Sequence, residues 1–503
     1  MLILTDATED GAANVAAGDA SLDTWLEGFL PESLSPGVPT AVFCIGRCVA
    51  RKGRITSLEL TVDGEARPLT ASGMPRVGPG GPERSGFWGI ATVEAEAEGS
   101  EVSLGLRATL DGEREASATL GSIPVAVPTD QPAPFPAREG DVGGGGLIAV
   151  CMATFEPDPQ LFAAQIRSLK EQTDPNWVCV ISDDGSSESS VAMIVETIGG
   201  DERFVFDPAP EHLGFYLNFE RALRLAPAEA SFLALSDQDD RWFPDKLESL
   251  RAALARGAGL AYSDQRLVLA DGEVLRSTLW KGRSRNHSNL ASMLISNSIV
   301  GASMLIRRDV VEAALPFPRG PGWEFHDHWL SSVAVAAGDV VFVDRPLYDY
   351  VQHAGAVVGN VSVGTSGTGR RSPGAWVRAL RGAPTRWQSI YFRTYSQTAL
   401  DAEVLLARCG ARMSGSKHRA ARRLATADGS PVAALWLLFR PARALWGRNE
   451  TLGTEWQLLR GLLWRPLTRF RLMIGRGPAD AGIPPFDVEA FGQRRLKRWL
   501  AGR

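Results

Sequence analysis

The chain has 503 residues, 44% of them hydrophobic and 22% charged, with a net charge of −5. That composition excludes a disordered, collagen-like or small disulfide-stapled protein and allows about three domains. The charge is divided: Arg370 to Arg503 holds 25 Lys and Arg against 8 Asp and Glu, and the remainder holds 28 against 50, so the two parts face different partners. The five cysteines are odd in number and lack zinc-ligand spacing. The first segment is too short and too poor in basic residues for a signal peptide, and no apolar run reaches bilayer length. The expectation is a cytoplasmic chain with reduced, buried thiols.

Residues 1–130 read as a β-sandwich accessory domain. Val38 to Ala50, Ile55 to Val62, Gly86 to Ala95 and Val102 to Leu110 are short and partly alternating, and Asp63-Gly64 and Asp111-Gly112 are hairpin turns. No acid/base or metal cluster is visible in this part. Phe87 and Trp88 read as core residues ahead of a sugar-binding face. Residues 131–146, Pro-rich and then four consecutive glycines, read as a linker.

Beyond the linker, Leu147 to Ala153 is wholly apolar, as suits a strand buried on both faces. Asp158 caps a helix with Leu161, Phe162, Ile166 and Leu169 on one side. Trp177 to Ser182, Arg203 to Phe206 and Phe232 to Leu235 are further strands, alternating with helices over Val191 to Ile198 and Leu217 to Leu225. Repeated βα units predict a doubly wound parallel sheet with ligands beyond its carboxyl edge. Thr154 to Glu156, Asp183 to Ser187 and Asp237 to Asp240 all fall at that edge. The last cluster sets three carboxylates within four residues at the end of a buried strand, which calls for a positive partner. A divalent cation carrying a phosphorylated ligand fits; the plainer alternative is an acidic loop or helix cap. No dinucleotide fingerprint or P-loop is present, Gly143 to Gly146 precede the strand, and Phe243 blocks a calcium-loop reading of Asp237. Leu260 to Val274 reads as a strand and hairpin around Asp271-Gly272, and Ile299 to Ile306 as another strand. The loop Gly320 to Phe325 leads into His326-Asp327-His328-Trp329, the start of an apolar helix. A carboxylate there is stabilised as the anion and is available as a base, although Asp327 also suits an N-cap. His326 and His328 point apart on a helix, so they share no metal.

Ala153-Thr-Phe-Glu156, Ser182-Asp-Asp-Gly-Ser-Ser187, Ser236-Asp-Gln-Asp-Asp-Arg-Trp-Phe-Pro-Asp-Lys246 and Phe325-His-Asp-His-Trp-Leu330 resemble the ordered motifs of family 2 glycosyltransferases. The rhamnosyltransferase-like branch of bacterial surface-polysaccharide synthesis is the nearest. The resemblance covers 147–362. It implies a GT-A fold, a dTDP- or UDP-sugar donor, a divalent metal (Mg²⁺ or Mn²⁺), a saccharide or lipid-linked saccharide acceptor and inversion at the anomeric carbon. By the same resemblance, Thr154, Phe155 and Glu156 line the nucleotide pocket, with Asp183 accepting from the base and Asp184 beside it or capping the next helix. Asp237 faces the ribose, Asp239 holds the metal, and Asp327 is the general base. Trp242, His326 and Trp329 are candidates for acceptor contact, the two tryptophans being equally suited to packing. Pro346 to His353 resembles the family's closing Tyr-Arg-Gln-His segment, in which His353 approaches the metal. Val351 replaces the usual Arg, Ala356 an Asn, and Glu156 an Asn. The β-sandwich resembles accessory domains ahead of some bacterial sugar-transferring enzymes. Two rival readings are a non-catalytic sugar- or nucleotide-binding module and a sugar nucleotidyltransferase, which would carry a Gly-rich basic loop after the first strand.

Residues 363–503 read as a Gly/Ser/Thr linker and then basic, Trp-rich helices over Trp376 to Leu406, Ala411 to Ala425, Pro431 to Phe439 and Leu452 to Ile474. Pro431 to Phe439 is apolar but ends at Arg440-Pro441, too short to span a bilayer. Trp and Leu faces flanked by Arg fit peripheral contact with the inner face of the cell membrane through 370–503. A helical subdomain or an oligomer interface is the alternative. Nucleic acid fits poorly, since no recognition motif accompanies the charge.

Overall fold

The computed structural model describes residues 21–473 apart from 29, 79–80, 131–144, 280–285, 321–323, 354–382, 449 and 452. Most of the Pro/Gly linker, Ala356, the 363–372 linker and the segment after 473 lie outside the described residues.

The first eight strands are β1 (Leu22–Leu26), β2 (Thr40–Ala50), β3 (Ile55–Val62), β4 (Glu65–Pro68), β5 (Ala71–Gly78), β6 (Gly81–Val93), β7 (Glu101–Leu110) and β8 (Arg114–Pro124). They form two four-stranded antiparallel sheets, ordered β1-β2-β6-β5 and β4-β3-β7-β8. Asp63-Gly64 and Asp111-Gly112 join β3 to β4 and β7 to β8 with positive φ at both residues, the twist that tight hairpins require. Val42, Cys44, Leu60, Phe87, Leu104 and Leu106 fill the space between the sheets. The opposite face of β2 and β6 presents Phe43, Ile45 and Trp88, which pack into the helices at the far end of the chain. Trp88 is therefore buried, but in a core shared with those helices rather than in the sandwich's own.

The central domain contains β9 (Leu147–Thr154), α1 (Pro159–Lys170), β10 (Trp177–Asp183), α2 (Glu188–Ile198), β11 (Phe204–Pro208), α3 (Phe215–Arg224), β12 (Ala230–Ser236), β13 (Arg241–Trp242) and α4 (Lys246–Leu254). It continues with β14 (Leu260–Leu269), β15 (Val274–Arg276), α5 (Leu290–Ile295), β16 (Met304–Arg307), α6 (Arg308–Ala314), α7 (His326–Ala337) and β17 (Val340–Gln352). The strands form one nine-stranded sheet, β11-β10-β9-β12-β16-β14-β17-β13, with β15 beside β14. The first four positions are parallel, as the βα alternation predicts. Beyond β12 the all-parallel expectation fails, because β16 runs antiparallel to both β12 and β14. The predicted Ile299–Ile306 strand is shorter, since Gly301–Ser303 forms a 3₁₀ turn before β16. Register sets Thr154 opposite Asp183 and Ser236 opposite Met152, so the three polar clusters leave the sheet along one edge.

At the end of the chain, α8 (Ala383–Ile390) passes through a π-helical turn at Tyr391–Tyr395 into α9 (Ser396–Cys409). Then come α10 (Gly415–Ala425), α11 (Pro431–Phe439), a 3₁₀ segment Arg440–Trp446, and α12 (Thr454–Met473). These helices are not a detached tail: Tyr391, Phe392, Tyr395, Leu400 and Trp464 share one core with β2 and β6 of the sandwich and with α5 and α7 of the central domain.

Candidate active site

The nucleotide-side residues are tied together before any ligand arrives. Thr154 Oγ donates to Asp183 at 3.0 Å, and the Ser186 backbone N–H and hydroxyl donate to the same carboxylate at 2.9 and 2.7 Å. Asp183 is fully enclosed, with Ser186 and Thr154 occupying its carboxylate oxygens. Phe155 lies half-buried with its ring 4.6 Å from that of His212. Its backbone exchanges two hydrogen bonds with the Gln238 amide, at 2.8 and 3.2 Å, locking the end of β9 to the acidic run after β12. Gln238 carries no charge and passes in sequence as a spacer between aspartates; only the fold shows that it is the crosslink.

Glu156 has φ of 43°, a left-handed conformation that Asn tolerates more readily than Glu, and Asn is the residue it replaces. Its carboxylate accepts from Ser187 N at 2.6 Å and Ser190 Oγ at 2.7 Å at the start of α2, where negative charge is stabilised by the helix end. Asp184 does not cap that helix, whose N-cap is Ser187. It accepts from Gly214 N at 2.9 Å and from Leu213 N at the entrance of α3, with His212 Nδ1 3.1 Å away. Burial pushes its carboxyl above the usual range.

The acidic run divides into three environments. Asp239 is half-buried, and its Oδ2 lies 2.7 Å from His353 Nε2. That contact raises the imidazole pKa. Asp237 is half-buried and is pushed up to about 7, by burial first and then by the charges of Asp239 and Asp327. Asp240 is wholly buried and driven well above the carboxylate range by burial, and it accepts from Val351 N at 3.3 Å. Val351, at the position where the motif usually has Arg, is buried against Leu161 and Val268. Facing Asp237 and Asp240 is Lys246, fully buried, its Nζ 3.3 Å from the Trp242 ring centroid and 4.5 Å from that of Tyr348. Lys246 also donates to the Ala302 carbonyl. Burial holds its ammonium well below its ordinary pKa, and both carboxylates oppose that shift.

Asp327, half-buried in the first turn of α7, reaches the same region. It accepts from His328 N at 2.6 Å, and Asn297 and the Gly301 N–H also hydrogen-bond to it. Burial outweighs these donors and raises its pKa to about 6. The Asp237 carboxyl thus lies within electrostatic reach of both Asp239 and Asp327, and Asp239 is paired with His353.

Three sequence expectations are corrected here. Trp242 is 3% exposed and belongs to the core, its ring covering Lys246, so it offers no acceptor platform. Trp329 is 2% exposed, and its indole N–H donates to Ala314 O at 2.9 Å inside the core. His326 is buried and stacked on Phe219 with ring centroids 3.8 Å apart; burial lowers its pKa to about 3, so it is a neutral packing residue. Lys246 is the member that sequence reading left without a role. A lysine ten residues after a buried strand carries no local signal of burial.

The polar clusters thus leave the α/β sheet together, at the carboxyl ends of β9, β10 and β12. Residues 149–314 match the model of Glycosyl transferase family 2. The putative teichuronic acid biosynthesis glycosyltransferase TuaG of Bacillus subtilis is 25% identical over 146 residues, 29% of this chain and 56% of that protein. The uncharacterized protein y4gI of Sinorhizobium fredii is 28% identical over 133 residues, 25% of this chain and 14% of that protein. The chain therefore spans less than two thirds of either relative. The crystal structure of S. aureus TarS 1–349 aligns at a TM-score of 0.34 and 13% identity, over 65% of this chain and 92% of that one.

Proposed function

We propose that this protein is an inverting glycosyltransferase that moves a sugar from a dTDP- or UDP-linked donor to a saccharide acceptor carried on a lipid. The observation that carries the reading is that Asp237, at the end of β12, feels the charges of both Asp239 and Asp327, the latter from α7. A base and an acidic, ligand-facing edge are then within electrostatic reach of each other. In this reading Thr154, Phe155, Glu156 and Asp183 form the nucleotide side and Asp237 the ribose side. Envelope polysaccharide as the product class is supported by the name of the B. subtilis relative.

Asp239 and His353 fit a divalent cation: a carboxylate oxygen and an imidazole nitrogen meet at 2.7 Å at the edge of the sheet, both half-buried. Among the described residues no group of three His, Cys, Asp or Glu is placed to hold a metal, and a bound cation would draw its other oxygens from donor phosphate and water. When bound, Mg²⁺ or Mn²⁺ would offset the negative charge that develops on the leaving diphosphate. Asp327 takes the proton of the acceptor hydroxyl, and that oxygen attacks the anomeric carbon from the side opposite the diphosphate. A single displacement inverts the centre and leaves the proton on Asp327.

The test is a panel of nucleotide-sugars assayed with wild type and Asp327→Ala, with Mg²⁺ or Mn²⁺ and with a chelator. Loss of Asp327 should reduce turnover by roughly 10²- to 10⁴-fold, and chelation should abolish it. Turnover that survives both treatments refutes the mechanism.

A further inference from the structure

The large apolar side chains that remain exposed are concentrated between Pro431 and Met473. On α11, Val432, Leu435 and Phe439 are 70, 54 and 66% exposed and form one helical stripe, opposite the buried Ala433 and Leu437. Leu445 and Trp446, in the 3₁₀ segment, are 82 and 75% exposed. On α12, Trp456, Leu463 and Phe470 recur at intervals of seven, each at least half exposed, with exposed Arg460 between the first two. No helix among the described residues is long and apolar enough to cross a membrane.

The charges around these side chains select the occupant. The carboxylates of Pro431 to Met473 are Glu450 and Glu455, and both are buried. Glu450 pairs with Arg443 at 3.0 Å and Glu455 with Arg440 at 3.7 Å. Arg448, Arg460 and Arg469 are exposed. The surface is therefore apolar and cationic, its acids spent inside. A second copy packed symmetrically on this face would set arginine against arginine. Nucleic acid would meet large apolar groups where it needs polar ones. An anionic bilayer satisfies both halves, taking Trp, Phe and Leu into the headgroup–acyl boundary and phosphates onto Arg.

We propose that α11, the 3₁₀ segment and α12 form a docking surface for an anionic phospholipid bilayer, on which the protein lies without crossing it. The surface is anchored to the base side of the active site. Arg440 donates to Ser292 Oγ at 2.7 Å, and that hydroxyl donates to Glu450 at 2.6 Å. Ser292 belongs to α5, whose Met293 carbonyl lies 2.8 Å from His328 Nε2, next to Asp327. If the glycosyl-transfer reading holds, docking presents that side to a lipid-borne acceptor; the docking itself does not depend on it.

The experiment is co-sedimentation of the full chain with vesicles of phosphatidylcholine alone or with about 30 mol% phosphatidylglycerol, at low and high salt. Three exposed arginines predict binding to the anionic vesicles tighter by roughly tenfold or more, weakened by salt. Phe439→Ser with Trp446→Ser should abolish binding, and Arg448→Glu with Arg460→Glu should remove the preference for phosphatidylglycerol. All four side chains are exposed or outward-facing, so thermal midpoints should not move. Equal binding to both vesicles, or none, overturns the proposal. So does a serine variant that turns an oligomer into a monomer on size exclusion, because a second copy would then cover this face.

Discussion

Asp327 illustrates how one buried residue sets activity and stability against each other. Its pKa is raised to about 6 because loss of water around the carboxylate outweighs the hydrogen bonds it accepts. As a base it must be ionised, so kcat/KM should fall about tenfold per pH unit below about 6 and level off above it. The stability contribution runs the other way. A carboxyl whose folded pKa is raised favours the fold below its unfolded pKa, and that advantage is lost as pH rises through about 6. Asp327→Asn should therefore lose activity yet unfold at higher denaturant concentration than wild type at pH 8. The gain is at most about 3 kcal/mol, reduced by whatever the amide forfeits in hydrogen bonding. A pH–rate profile flat from 5 to 8, or an Asn variant less stable at pH 8 and unchanged at pH 5, would remove this account. Not every residue role was open to sequence reading. The place of Asp327 in the first turn of a helix was legible, because a carboxylate opening an apolar run after a Gly-containing loop marks a helix start; its part as base came from the motif resemblance alone. Trp242 and Trp329 were not, since an indole suits a core and a sugar platform equally, and the choice rests on neighbours distant in sequence.

At the scale of elements, the strand ends were the most legible part of the chain. β9 and β10 are apolar throughout and stop abruptly at polar clusters, and parallel pairing brings those stops together. What lay beyond local pattern was how the clusters brace one another. Gln238 ties β12's exit to β9, and Asp184 serves α3 rather than the helix that follows it. The start of α4 is the clearest case. Lys246 is its first residue, and the buried ammonium sits between two aromatic rings within electrostatic reach of Asp237 and Asp240. Burial raises the Asp240 carboxyl and lowers the Lys246 ammonium, and the charge of each opposes the other's shift. Lys246→Met should cost about 1–3 kcal/mol, by removing the donor to Ala302 O and the cation that offsets Asp240. Asp240→Asn in the same chain should recover part of that loss. Unfolding free energies of the two single variants and the double variant close the cycle, and strictly additive losses would mean the two residues do not interact.

At the scale of the whole molecule, the charge asymmetry suggested separate parts, yet the C-terminal helices join the sandwich to the central domain. Arg408, near the end of α9, is the fullest expression of this. Its Nε donates to Pro39 O at 2.8 Å and its Nη2 to Thr40 Oγ at 3.3 Å, both at the start of β2. Its Nη1 donates to Ala314 O at 2.9 Å and Pro316 O at 2.8 Å, in the central domain. Burial lowers its pKa to about 10, still high enough for the guanidinium to stay charged at neutral pH. One side chain therefore satisfies acceptors from two parts of the fold while belonging to a third, and Trp88 extends the junction by donating to Tyr391 OH at 3.1 Å. A sandwich fastened in this way should not melt alone. Scanning calorimetry of the wild type should show one main transition. Arg408→Met should lower its midpoint by removing the donor to the Pro39 and Pro316 carbonyls, a loss of about 2–4 kcal/mol if the relaxation is small. The same variant should expose the β1–β8 region to limited proteolysis at temperatures where the wild type resists. A wild type with two well-separated transitions, only one of them moved by Arg408→Met, would mean that the sandwich folds independently and that the shared core is contact without cooperativity.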